Sequence, residues 1–279
     1  MPAELRSVTV HIDTGRWSET VLTEVSLEVP AGCITALLGG PGAGKTMITY
    51  VLTDRLPVTA QITGEVLIEG TVGYIPQDGI DAFVPDRTVG EQLRELEQPQ
   101  GKRTVARTCE AVYYPVDALA SLPKHHSAGQ IQRAALAAAL LVAPDILIAD
   151  GPTASLDRGT AFGVWTSLRE CADSGTALLV VTDNVPMLTA TGYADLIAIV
   201  EEGRLLAMGT MEELADSASP RGAVVLPAGT LRCSERRVPC RQDPVRTLRR
   251  FGRLSGAPRC PDGSNTGPEL GRWHDLRSG

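Results

Sequence analysis

The stretch Gly39-Gly40-Pro41-Gly42-Ala43-Gly44-Lys45-Thr46 fits the pattern G-x-x-x-x-G-K-[ST] and follows an apolar run, Cys33 to Leu38, that reads as a buried strand. Glycines at these spacings let successive backbone N–H groups turn inward around a polyphosphate. Lys45 then reaches the terminal phosphates, and the Thr46 hydroxyl is placed to ligate magnesium at a helix N-terminus. A helix predicted over Lys45 to Asp54 completes the strand–loop–helix context that this chemistry needs. The stretch is therefore read as a cradle for ATP or GTP.

The rest of the composition sets the frame around that loop. With 279 residues and 43% hydrophobic content, the chain is long enough for one sizeable core and one appendage. The longest apolar stretch, Ala134 to Ala143, is cut by Pro144-Asp145 and is far shorter than the roughly 20 residues that span a bilayer. The start, Met1-Pro2-Ala3-Glu4-Leu5-Arg6, has neither the basic nor the apolar character of an export signal, so a cytoplasmic location is expected. Six cysteines without a C-x-x-C pair are too sparse for a disulfide framework. Charge is uneven: residues 220–279 hold 12 Arg against 5 Asp/Glu, a net of +7 in a chain of net −7, so residues 1–219 carry −14. This shift divides the chain into a nucleotide-binding domain, 1–219, and an Arg- and Pro-rich tail, 220–279, expected to be poorly ordered. An acidic body argues against a nucleic-acid groove spread over the core.

Along the chain the hydrophobic period alternates between strand and helix. Strands are predicted at Val8–Val10, Val25–Val29, Gly64–Gly70, Val72–Gln77, Asp145–Ala149, Ala177–Val181 and Leu196–Val200. Helices are predicted over Thr88–Gln98, Arg103–Tyr113, Gln130–Val142, Asp157–Ala172 and near Pro186, and Glu202-Gly203 reads as a turn. Strands alternating with helices imply a mostly parallel sheet covered on both faces. No repeat of 20 to 50 residues is visible, and there is one phosphate loop, so the chain holds one nucleotide-binding unit.

An apolar strand ending in Asp150, about a hundred residues after the phosphate loop, is the usual second half of such a site and would hold magnesium through its waters. Between the two lie Gln77 and Ser127-Ala128-Gly129-Gln130. After them come Ser155-Leu156-Asp157 and the apolar strand ending at Thr182. In this order the motifs resemble the ATP-binding subunits of ABC transporters over residues 5–215. Within that family, Tyr74-Ile75-Pro76-Gln77-Asp78, Pro85, Thr88-Val89-Gly90-Glu91-Gln92-Leu93 and Asp150-Gly151-Pro152-Thr153-Ala154 look most like importers of oligopeptides, dipeptides and nickel. The tail carries an echo in Ala257-Pro258-Arg259-Cys260-Pro261.

The resemblance implies an α/β fold of the P-loop NTPase, ABC ATPase type: a mostly parallel sheet flanked by helices, a small antiparallel β subdomain, and a compact helical subdomain near 80–128. It implies ATP and Mg2+ as cofactors, with Gly39 to Thr46 holding the phosphates and Thr46, Gln77 and Asp150 the metal. Trp17 and His11 are the candidates for stacking on adenine: Trp17 offers the better π-face, and His11 sits nearer the family position. Two such domains would close head to tail, each lending the Ser127–Gln130 signature to the other's ATP. His126 and Ala128 replace the family's leucine and first glycine there. Transmembrane permease subunits would be the other partners, with the chain on the inner face of the membrane and no nucleic acid bound.

Two departures bear on the chemistry. Gly151 stands where the family has the glutamate that deprotonates the attacking water, and a positioned base is worth about 10²–10⁴ in rate. Asp183 stands where a histidine contacts the γ-phosphate. A carboxylate about 4 Å from a phosphate charge meets repulsion of about 4 kcal/mol at an effective dielectric of 20. The sequence is thus read as a degenerate half of an asymmetric pair that binds Mg-ATP and hydrolyses it poorly. A nucleotide-gated regulator or scaffold of the same fold, with no permease attached, is the alternative. From Lys45 to Gln77 is 32 residues, short for the family, so the antiparallel subdomain is expected to be trimmed. The tail cysteines Cys233, Cys240 and Cys260 do not make the spacing of a four-cysteine iron–sulfur cluster.

Overall fold

The strand that feeds the phosphate loop, β3 (Ile34–Leu38), is buried at every residue. In a computed structural model of the chain, which describes residues 2–97, 103–154 and 156–217, this strand sits inside a six-stranded sheet. The tail 220–279 with its three cysteines, and Ser155, lie outside the described residues.

Chain order builds the sheet from both sides of β3. Two N-terminal strands, β1 (Ala3–Asp13) and β2 (Ser18–Val29), precede it. After it come α1 (Lys45–Leu52), β4 (Ala60–Ile68) and β5 (Val72–Ile75). Helices α2 (Val89–Leu96), α3 (Val105–Ala111) and α4 (Ala128–Leu141), with short 3₁₀ turns before α2 and between α3 and α4, then lead to β6 (Ile146–Asp150). The described chain continues with α5 (Arg158–Asp173), β7 (Ala177–Val181), α6 (Val185–Thr191), β8 (Leu196–Glu201), β9 (Arg204–Gly209) and α7 (Met211–Ser217).

The large sheet runs β5-β6-β7-β3-β8-β9, parallel from β5 to β8 with β9 antiparallel at its edge. A second, three-stranded antiparallel sheet runs β2-β1-β4. This is the expected α/β architecture. Successive side chains of a strand point to opposite faces, and the core divides accordingly. Ile34, Ala36, Leu147, Ala149, Leu178 and Val180 face the layer holding α4 and α5, while Leu37, Ile146, Ile148, Leu179 and Val181 face α1 and the antiparallel sheet. Burying each Leu, Ile or Val in these layers contributes about 1.5–3 kcal/mol relative to exposure.

The antiparallel strands are far longer than their apolar alternation suggests. Bulges break the period at Ser7 (φ 48°) and Glu24 (φ 51°). There the freed N–H groups find cross-strand hydroxyls, Ser7 N donating to Ser26 Oγ at 2.9 Å and Glu24 N to Thr9 Oγ1 at 3.0 Å. Strand β9 carries no strong alternation, and the local pattern marks only the turn Glu202-Gly203 before it. It exists because β8 offers it an open edge.

One charged clamp fixes where β3 begins. Arg169 on α5, 5% exposed, donates to Gly32 O at 2.8 Å and pairs with Asp195 at 2.5 Å. Asp195 in turn accepts the Ile34 N–H at 2.7 Å. The guanidinium is thereby tied to the first residues of the strand that carries the loop. Among the described residues no helix is long and apolar enough to cross a membrane.

Candidate functional site

The loop from Gly39 to Gly44 opens directly off β3 into α1. Gly44 caps α1 with φ of +101°, and no side chain accepts from the helix's first N–H groups. A Cβ at this position would lie 2.9 Å from Leu22 Cδ2 and 3.3 Å from Gly203 Cα, so the site demands glycine for both torsion and space. The β8–β9 turn braces the loop from behind: Gly203 N donates to Ala43 O at 3.0 Å, and Thr23 N of β2 donates to Gly203 O at 2.8 Å. Nothing in the local sequence pattern pointed to Gly203 as a partner of the loop.

Lys45 Nζ lies back against the loop, 2.6 Å from Gly39 O and 3.1 Å from Gly40 O. Its third contact is Asp183 Oδ1, at 3.0 Å. Reading Asp183 only against a phosphate missed this pairing, because the two residues are distant in sequence and meet only when β7 packs beside β3. Thr46 shares a cleft with Asp150, which is 4% exposed at the end of β6. Burial pushes the Asp150 carboxyl above its ordinary value, and Asp183 adds to the rise, while Thr46 and the Lys45 ammonium oppose it.

Thr46, Tyr74, Gln77, Asp78, Ala128 and Asp150 line one cleft of about 450 Å³. The three residues expected to hold a metal therefore line one cleft, beside the N-terminus of a helix that has no side-chain cap. Oxygen donors of this kind suit magnesium, and the open N–H groups of α1 suit phosphate, so the residues present fit both groups. Gln132 of α4, 3% exposed, donates to Pro76 O at 3.1 Å and so holds the backbone next to Gln77. No local pattern in the sequence marks that strut.

Gly151 follows Asp150 with φ of +60°, and its N–H donates to Val181 O at 3.1 Å. A Cβ there would meet Gln77 Cγ at 3.6 Å and Ala154 Cβ at 3.8 Å, ordinary contact distances. The position has room for a side chain and a backbone that disfavours one.

The signature segment forms a capping box at the start of α4. Gln130 N donates to Ser127 Oγ at 3.2 Å, and Ser127 N donates to Gln130 Oε1 at 2.9 Å. Ser127 and Ala128 are exposed, while a Cβ on Gly129 would approach Leu156 Cδ2 at 3.3 Å. His126 is turned inward: Nδ1 donates to Leu122 O at 3.0 Å, and Tyr114 Oη donates to Nε2 at 2.6 Å.

The two candidates for adenine stacking stand differently. His11 pairs across the sheet with Thr20, two residues from the Leu22 that touches the loop. Its ring nitrogens are engaged by Thr20 Oγ1 at 3.1 Å and Ser18 Oγ at 3.0 Å. Trp17 is 47% exposed in the β1–β2 turn, where its carbonyl accepts from Thr14 N at 2.9 Å.

Comparison with known proteins gives a consistent picture. The family model described as ABC transporter matches residues 22–154. The Fe(3+) ions import ATP-binding protein FbpC of Pseudomonas fluorescens is 30% identical over 85% of this chain and 77% of its own length. The oligopeptide transport ATP-binding protein OppD of Mycobacterium bovis is 26% identical over 76% of this chain and 39% of its own length. The daunorubicin/doxorubicin resistance ATP-binding protein DrrA of Streptomyces peucetius is 35% identical over 69% and 62%. Importers of different solutes and a drug-resistance protein thus stand side by side. Among solved structures, an ATP-binding subunit of an ABC transporter superposes with a TM-score of 0.66 at 25% identity, covering 80% of this chain and 95% of that one. A dimeric ATP-binding cassette bound to ADP and Pi superposes with a TM-score of 0.64 at 22% identity, covering 75% and 98%.

Proposed function

Since this chain belongs to the ATP-binding proteins of the ABC transporter family, we propose that it is the hydrolytically impaired ATP-binding subunit of an importer, of the peptide or nickel type. The loop Gly39 to Thr46 takes the phosphates of ATP on its open N–H groups and Lys45. Thr46, Gln77 and Asp150 hold Mg2+, which supplies positive charge against the phosphate oxygens when bound. Ser127 to Gln130 complete the site of a second ATP-binding chain, and a heterodimer is favoured because that partner must bring the base this chain lacks. Transmembrane permease subunits form the rest of the assembly, with this chain peripheral on the cytoplasmic face. His11 and Trp17 remain the residues proposed for the adenine end.

The observation that carries this reading is Gly151. It occupies the position next to Asp150 and opposite Gln77, with no atom able to take a proton. The binding groups survive around it, so the site keeps its grip and loses the step that activates water. The test is ATP turnover by the purified chain, alone and with a second ATP-binding chain. Binding with little turnover alone, and turnover on pairing that survives Lys45→Ala here, support the proposal; robust hydrolysis by the isolated chain refutes it.

A further inference from the structure

Every proton of the Lys45 ammonium is already committed. An ammonium has three N–H donors, and Gly39 O, Gly40 O and Asp183 Oδ1 are the three acceptors around it. A phosphate oxygen that binds Lys45 must displace one of them. The carbonyls are neutral acceptors, so one phosphate takes the place of a carbonyl and leaves the charged carboxylate, whose side chain is 69% exposed against 12% for the lysine, as the next contact to give way.

It cannot move far when it does. Thr182 N is bonded to Leu37 O at 3.2 Å, Asn184 N to Thr182 Oγ1 at 3.1 Å, and Val185 N to Asp183 O at 3.1 Å. Asn184 also accepts from Met187 N at 3.1 Å to cap α6. The Asp183 backbone is pinned on both sides, so its charge turns only about its own side-chain bonds. Asp150, on the neighbouring strand, adds a second carboxylate to the same end of the cradle.

A lysine in such a loop reaches the second and third phosphates of a nucleotide. With a diphosphate, the ammonium serves one phosphate and keeps Asp183 as its second anion. With a triphosphate, the third phosphate and Asp183 compete for one cation at close range. Resting on the nucleotide-site reading above, we propose that Asp183 is a specificity-determining residue that biases the site toward nucleoside diphosphate over triphosphate. The carboxylate stands in for the missing phosphate on Lys45.

Titration calorimetry of the full 279-residue chain at fixed magnesium, with ADP and with a non-hydrolysable ATP analogue, tests this in the wild type and in Asp183→Asn. The wild type is expected to bind ADP at least as tightly as the analogue. Asp183→Asn is expected to shift the ratio of the two dissociation constants toward the analogue by about tenfold, the scale for one partly screened charge. A wild type that prefers the analogue tenfold or more, or a ratio unmoved by the substitution, overturns the inference while leaving the nucleotide site standing. Loss of ADP binding in Asp183→Asn assigns the residue a structural role and overturns it too. Absence of binding for both nucleotides in the wild type removes the nucleotide-site reading and the inference together.

Discussion

Tyr114 and His126 are locked together at the entrance to the signature helix: the phenol donates to Nε2 at 2.6 Å, and the two rings stack at 5.8 Å with 16° between their planes. Because Leu122 O only accepts, Nδ1 carries the proton and Nε2 is left to accept from the tyrosine. Tyr114 is 3% exposed, and burial raises its pKa. The histidine is thus a hydrogen-bonded part of the helical layer, and it does not crowd the exposed Ser127 and Ala128.

His126→Leu, which restores the residue usual in the family, is expected to destabilise the chain by about 1–3 kcal/mol because it strands a buried phenol. Tyr114→Phe in the same chain should recover most of that loss. Urea denaturation of the two single variants and the double variant measures the coupling. Additive losses would show that the pair does not interact.

Gly151→Glu is expected to raise ATP turnover by less than the 10²–10⁴ that a well-placed base supplies. Space is not the obstacle, since the nearest side-chain atom to a Cβ there is 3.6 Å away. The obstacle is φ of +60°, which costs a residue with a side chain about 1–2 kcal/mol. Gly151→Ala should show the same stability loss with no gain in turnover, and comparing the two by calorimetry and phosphate release separates strain from chemistry.

Gly44→Ala is expected to lower both stability and nucleotide affinity. Its φ of +101° and the 2.9 Å approach to Leu22 Cδ2 require the loop to shift against β2. A loss of about 1–3 kcal/mol in denaturation, with nucleotide binding weakened in parallel, is the expected result. An unchanged affinity would mean that the loop accommodates nucleotide in a different conformation.

Asp145→Asn tests how β5 and β6 are held in register beneath Gln77 and Asp150. The carboxylate accepts from Thr71 N at 2.7 Å and from Thr71 Oγ1 at 3.0 Å, and these bonds hold its pKa below the ordinary 3.8. A lowered folded-state pKa contributes stability above the unfolded value and loses it as pH falls through the folded one. The wild type should therefore melt above the variant at neutral pH, with the gap closing below about pH 4. A gap independent of pH would rule out the ionised carboxylate as its source.

Some of this was written in the sequence because it is local. The loop Gly39 to Thr46 announces itself by glycine spacing, Asp150 by ending an apolar strand, and Ser127 by standing with Gly129 at the entry to an Ala- and Leu-rich helix. The parallel strands were legible because burial on both faces makes them continuous apolar runs. β1 and β2 were only partly legible, since bulges at Ser7 and Glu24 interrupt the alternation that marks a strand.

What the tertiary structure alone decided are the pairings between segments far apart in the chain. Lys45 meets Asp183, Gly203 braces Ala43, Gln132 holds Pro76, and Tyr114 holds His126, each through a hydrogen bond or ion pair of 3.1 Å or less. Amino-acid order reveals residue chemistry and the torsions that residue can adopt. It does not reveal which donor a folded acceptor will face, because that depends on how strands are ordered in the sheet. The order β6-β7-β3-β8 puts Asp183 beside the phosphate loop, and no local period in the sequence encodes that neighbourhood.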